Sequence, residues 1–119
     1  MFRKNHEVTV QAIINLRESL EKYLPIQNSL IAYDMILLLC IHNYARGNIT
    51  VKQFFNSLPH SATAIRYHYK RFIKDGWIEN YMDPKDKRIK YIRPTQKLIE
   101  AINFYMQDGE NVIMSTKFK

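Results

Sequence analysis

A chain of 119 residues with 46% hydrophobic content is long enough for one modest core and too apolar for a disordered segment. Its net charge of +7, from 18 Lys or Arg against 11 Asp or Glu, suits a polyanionic partner. The single cysteine, Cys40, excludes an internal disulfide, the longest apolar run covers only residues 35–41, and the opening MFRKNHEVTV lacks the apolar stretch of a secretory leader, so a cytoplasmic protein of one domain (1–119), with no membrane partner, is expected.

Residues 6–24 read as a first helix. Val10, Ile13, Ile14, Leu20 and Leu24 recur at helical spacing, Arg17, Glu18, Glu21 and Lys22 fill the polar side, and Pro25 stops the pattern. Its apolar face needs cover, either from the chain's own core or from a second subunit. Residues 28–46 form a second helix, with Asn28 or Ser29 as its cap. Leu30, Ile31, Met35, Leu37, Leu38, Leu39 and Ile41 cover more than one face, which predicts a central helix. Asp34 is expected on an exposed edge or beside a cation. Gly47-Asn48 ends this helix, and Asn48-Ile49 can add a short strand. Thr50-Val51-Lys52-Gln53 is a capping box that starts a third helix bearing Phe54, Phe55 and Leu58. Pro59 breaks that helix and Ser61 caps the next.

The fourth helix begins near Ala62 and ends at Gly76. Ile65, Tyr69 and Phe72 make a core-facing stripe; at about 100° per residue, Thr63, Arg66, Tyr67, Lys70 and Lys74 fall on the opposite side. That outer face mixes hydroxyls and cations and has no acid, which suits phosphates and base edges in a DNA major groove. A plain solvated face is the competing reading. Trp77–Met82 and Arg88–Arg93 read as two strands joined by the turn cluster Asp83-Pro84-Lys85-Asp86. The hairpin tip carries Lys85, Lys87 and Arg88. Between His60 and Lys97 lie ten Lys or Arg and only four Asp or Glu, so nearly all the excess charge sits on this helix and hairpin. After Thr95, the residues Leu98, Ile99, Ile102, Tyr105, Met106 and Ile113 trace a last amphipathic helix over about 96–114; Gly109 is a point of weakness, and the end, STKFK, is expected to fray.

Residues 76–95, GWIENYMDPKDKRIKYIRPT, resemble the wing of the MarR-like winged helix-turn-helix regulators. Gly76, Trp77, Ile78, Asp83, Asp86, Arg88, Pro94 and Thr95 fit that wing without a gap, and Ser61, Thr63, Ala64 and Ile65 fit the start of the family's recognition helix. The chain departs from the family at Arg66-Tyr67, where a small hydroxyl residue and Arg are usual, and at Leu98, where Gly is usual. The resemblance implies a mainly α fold with a small β-wing (α+β), residues 50–95 binding DNA, and N- and C-terminal helices (6–24 and 96–114) interleaving into a homodimer. Taken with the residue reading, the candidate DNA-binding set is Ser61, Thr63, Arg66, Tyr67, Lys70, Lys74, Lys85, Lys87 and Arg88. Asp86 either pairs with Arg88 or another tip cation and aims it, or is simply a turn residue that bonds its own backbone.

Other chemistry finds little footing. His60 and His68 stand eight apart, not a shared-face metal spacing, and no second cysteine joins them. His68 is expected at the edge of the core and His60 in the turn. There is no nucleophile motif, no glycine-rich phosphate loop and no acidic pair in an apolar setting, so neither an enzyme nor a cofactor is expected. Tyr23, Tyr33, Tyr44, Phe54 and Phe55 could line a small-molecule effector pocket, but core packing explains them more simply. The expected function is sequence-specific binding of double-stranded DNA by a dimeric transcription regulator. The alternative is a winged protein-interaction module without specific DNA binding.

Overall fold

The structure is a computed structural model. It describes residues 3–45 and 47–115, with the side chains of residues 4 and 44 outside the description. The elements run α1 (Lys4–Tyr23), α2 (Leu30–Tyr44), β1 (Ile49–Thr50), α3 (Val51–Asn56), α4 (Ala62–Lys74), β2 (Ile78–Met82), β3 (Lys90–Pro94) and α5 (Gln96–Ser115). They form a mainly helical chain with one small antiparallel sheet, ordered β1-β3-β2. No helix among the described residues is long and apolar enough to cross a membrane.

The chain divides into two compact units, Gln27–Ile99 and Met1–Ile26 with Glu100–Lys119. The first holds the winged helix-turn-helix. Its core takes Ala32, Met35, Ile36, Leu39 and Cys40 from α2, Phe54 from α3, Ile65 and Phe72 from α4, and Ile78 and Ile92 from the hairpin. The α2 positions follow the i, i+3, i+4, i+7, i+8 pattern of one buried face. This corrects the expectation of a helix buried nearly all round: Leu30 and Ile41 are about two-thirds exposed, at 67% and 63%. Small Ala32 and Cys40 take inward positions, which turns Leu30 and Ile41 outward. Burial pushes the Cys40 thiol up to about 11, leaving it protonated and unreactive at neutral pH.

The short connections are built from local chemistry. Ser29 caps α2 by accepting the Ala32 N–H at 3.2 Å. The capping box at α3 is closed in both directions: the Thr50 N–H donates to Gln53 Oε1, and the Gln53 N–H to Thr50 Oγ1, each at 3.0 Å. The α3 helix stops at Asn56, so Leu58 lies beyond it, although still buried. The β1 strand is Ile49–Thr50, one residue later than Asn48-Ile49, and it pairs with β3 through Ile49–Ile92 and Thr50–Tyr91. The hairpin strands are shorter than the sequence suggests. Trp77 lies before β2, its N–H spent on the Phe72 carbonyl at the end of α4, and Arg88 lies in the tip, where the Asp83 N–H donates to the Ile89 carbonyl and the Ile89 N–H to the Asp86 carbonyl.

In the second unit, an added Cβ on Gly109 of α5 would lie 3.4 Å from Leu16 Cδ2 of α1. That is an ordinary van der Waals distance, so the helices leave room there for a methyl group. The Tyr23 and Phe104 rings stack at 6.1 Å. Leu20 and Ile102 are buried, but Val10, Ile13 and Ile14 of α1 and Phe104, Ile113 and Met114 of α5 are exposed. Residues 116–119 of the expected frayed end lie outside the described residues.

Candidate nucleic-acid interface

The α4 helix is framed at both ends by its own sequence. Ser61 caps it, its hydroxyl oxygen accepting the Ala64 N–H at 3.2 Å. At the other end Gly76 takes φ +78°, a conformation only glycine adopts freely, and donates to the Ile73 carbonyl while Trp77 donates to the Phe72 carbonyl. This double bond pattern is a Schellman stop. Ile65, His68 and Phe72 are buried on one side; Thr63, Arg66, Tyr67, Lys70 and Lys74 are exposed on the other. Tyr69 is only half-buried: its ring meets Phe55 edge-on at 5.5 Å and its hydroxyl donates to Asn80 Oδ1 at 2.6 Å.

Two histidines hold α4 and its preceding turn to α2. His60 Nε2 lies 2.7 Å from Asp34 Oδ2, a ring N–H donating to the carboxylate. His68 is more deeply placed than expected. Its Nδ1 lies 3.1 Å from Arg71 Nη2, and its Nε2 lies 3.0 Å from Ser29 Oγ. A guanidinium can only donate, so Nδ1 accepts, and Nε2 carries the proton and donates to the hydroxyl oxygen that caps α2. Burial, and then the Arg71 charge, hold this imidazole below its ordinary value of 6.5. The neutral form is therefore the folded one. The linked stability is complete above pH ~6.5 and is lost as pH falls through the lower folded value. The midpoint of urea unfolding should drop between about pH 7.5 and about pH 5 by more in the wild type than in His68→Gln, whose amide can replace both bonds without titrating. Equal drops would remove His68 from this role.

The wing tip is organised by Asp83. Its Oδ1 accepts the N–H groups of Lys85 and Asp86 at 2.8 and 3.0 Å, and its Oδ2 accepts the Tyr91 hydroxyl at 2.9 Å. These bonds hold the Asp83 carboxyl below the usual carboxylate range and push the Tyr91 phenol up. Next to it, Arg88 Nε and Nη2 donate to the two oxygens of Asp86 at 3.1 and 3.2 Å, and the Arg88 N–H donates to Oδ1. The Arg88 bonds lower the Asp86 pKa as well. Asp86 thus makes both the ion pair and the backbone bond. Lys85 and Lys87 are exposed at the tip.

Below the tip, a groove of about 730 Å³ runs between α3, α4 and the hairpin. Its cations are Lys52, Arg66, Lys70, Arg88 and Lys90, and no acid lines it. Lys52 and Lys90 are absent from the sequence-based set. Among the described residues Arg66, Lys70, Lys74, Lys52 and Lys90 form no ion pair, whereas Arg93 on β3 is bound to Glu79 at 2.8 Å and lies over the Tyr81 ring. No group of three or more His, Cys, Asp or Glu that could hold a metal occurs among the described residues. Of the aromatics considered for a pocket, Phe54 is core, Phe55 packs on Tyr69, Tyr23 on Phe104, and Tyr33 is half-buried; the side chain of Tyr44 lies outside the described residues.

No family model and no curated protein matches this sequence. Solved structures do match its fold. Staphylococcus aureus MepR bound to ethidium bromide superposes with a TM-score of 0.74 at 14% identity, over 96% of this chain and 80% of that one. The regulator Tm0710 from Thermotoga maritima gives 0.65 at 21% identity, over 92% and 72%. A mutant MarR from E. coli complexed with operator DNA gives 0.59 at 21% identity, over 93% and 75%. The chain is a winged helix-turn-helix protein with the fold of the MarR-like transcription regulators.

Proposed function

We propose that this chain is a sequence-specific, double-stranded-DNA-binding transcription regulator that works as a homodimer. One observation carries the reading: the acid-free outer face of α4, with its unpaired cations, continues into an acid-free cationic groove beneath the wing. The fold shared with a MarR complexed with operator DNA adds support. In this reading α4 enters the major groove, where Thr63, Arg66 and Tyr67 meet base edges and Lys70 and Lys74 hold phosphates; the Ser61 hydroxyl, besides capping, can still donate to a phosphate. The wing approaches the neighbouring minor groove with Lys85, Lys87 and Arg88. The exposed apolar residues of α1 and α5 would be covered by a second copy. A twofold dimer then favours inverted half-sites about 10 base pairs apart.

Selection of bound sites from random duplexes, followed by titration at two salt concentrations, tests the reading. Arg66→Ala should cost about 1–3 kcal/mol and relax one base position per half-site, while Lys70→Ala should weaken all sequences alike. An unselective outcome for the wild type, or an unaltered preference in Arg66→Ala, counts against it.

The wing supplies a separate expected result. If Asp86 aims Arg88, then Asp86→Ala and Arg88→Ala both weaken binding to one duplex at one salt concentration, although the first adds positive charge. If Asp86 only shapes the turn, its removal leaves affinity unchanged or raises it by easing repulsion. A tighter-binding Asp86→Ala would end the aiming role.

A further inference from the structure

We infer that Lys52 of α3 and Lys90 of β3 clamp the sugar-phosphate backbone of bound DNA in the groove beneath the wing; the inference rests on the DNA-binding reading above. The two lysines are far apart in sequence and are brought together by the sheet. Antiparallel pairing of Thr50 with Tyr91 sends the chain after Thr50 toward the same end as the chain before Tyr91. Lys52 follows the first by two residues and Lys90 precedes the second by one, so both line the groove that Arg66, Lys70 and Arg88 also line.

Their surroundings give neither lysine an internal electrostatic use. Both are exposed, and among the described residues neither has an acidic partner. Lys52 sits in the first turn of α3, which holds no acid. A cation there gains nothing from the helix dipole, which favours negative charge at that end. Arg93, on the same strand as Lys90, has Glu79, and Arg88 in the groove has Asp86; among the described residues no acid pairs with Lys52 or Lys90. A clamp with walls on α3 and β3 holds the backbone between the recognition helix and the wing, fixing the register in which α4 meets the bases.

The experiment uses the full-length chain and one duplex selected by the wild type. Binding constants are measured over a range of NaCl concentrations. Lys52→Ala and Lys90→Ala should each reduce the slope of log K against log salt by about 0.9 for each chain bound, with base preference unchanged. Duplexes carrying a single uncharged methylphosphonate locate the contact. At one phosphate per half-site the wild type loses affinity, and the matching lysine variant loses no more. Wild-type slopes in both variants, while Lys70→Ala lowers its slope, would overturn the clamp and leave the DNA reading intact. Absence of any salt-dependent duplex binding by the wild type would overturn both.

Discussion

Placing Glu at both Ile13 and Ile113 should convert the proposed dimer to monomers and lower affinity for a two-half-site duplex by on the order of 10²–10⁴-fold. Both side chains are already more than half exposed in the single chain, so the substitutions leave its own packing largely alone. In a twofold dimer each position counts twice. Burying an isoleucine is worth about 1.5–3 kcal/mol, and a carboxylate buried without a partner adds a further penalty. Light scattering after size exclusion would read the mass, and a duplex with one half-site serves as the control. The variant should bind that control as the wild type does. A variant that remains a dimer with native two-site affinity would show that these faces do not join the copies. The same test is sharper than deleting residues 1–24, which should also give monomers or insoluble protein but removes buried Leu20 and Leu24 as well.

The second large effect lies inside the winged unit. Phe72→Ala should cost about 3–5 kcal/mol of stability, a large share of the roughly 5–15 kcal/mol available to a small domain. Phe72 is 1% exposed, its ring lies beside His68, and the Arg71 guanidinium sits 4.7 Å from its centroid. Its carbonyl also takes the Trp77 N–H that ends α4. Loss of the ring loosens the helix that carries the proposed recognition face, so, on that reading, DNA affinity should fall at temperatures where the wild type is fully folded. Phe72→Leu, which retains much of the volume, should lose far less. Urea unfolding measures both, and an alanine variant within about 1 kcal/mol of wild type would contradict the assigned core.

What was legible in the sequence was local. The 3.6-residue phase of Ile65 and Phe72 against Arg66, Tyr67, Lys70 and Lys74 needs only the helix itself. The Thr50–Gln53 box and the Gly76 stop are likewise contained in a few residues. The misreadings came where the pattern carries no phase or where partners are distant. In the run MILLLCI every residue is apolar, so the inward face of α2 shows only in Ala32 before it and Cys40 within it, which look unremarkable beside leucines. Lys52 and Lys90 join one groove only because β1 pairs with β3, and no periodicity records a cross-chain register. Ser29 and His68 meet because α2 packs against α4, which is equally invisible to a local pattern. The start of β3 is hidden from the pattern because Ile89, a good strand residue, is taken into the tip by its bond to the Asp86 carbonyl. The proposed division of the cations between bases and phosphates rests on side-chain type and position alone, and the variants above test it.

The three bonds accepted by Asp83 bear on the thermodynamics of association. In the proposed complex, a tip already closed by Lys85, Asp86 and Tyr91 does not need to fold as DNA arrives. Little conformational entropy is surrendered at that step, and little fresh surface is buried within the protein by it. The heat-capacity change of binding should then reflect the area of the interface itself, without the added contribution that accompanies a loop ordering on its target. On the proposed function, a wing built this way should behave in calorimetry as a rigid-body contact.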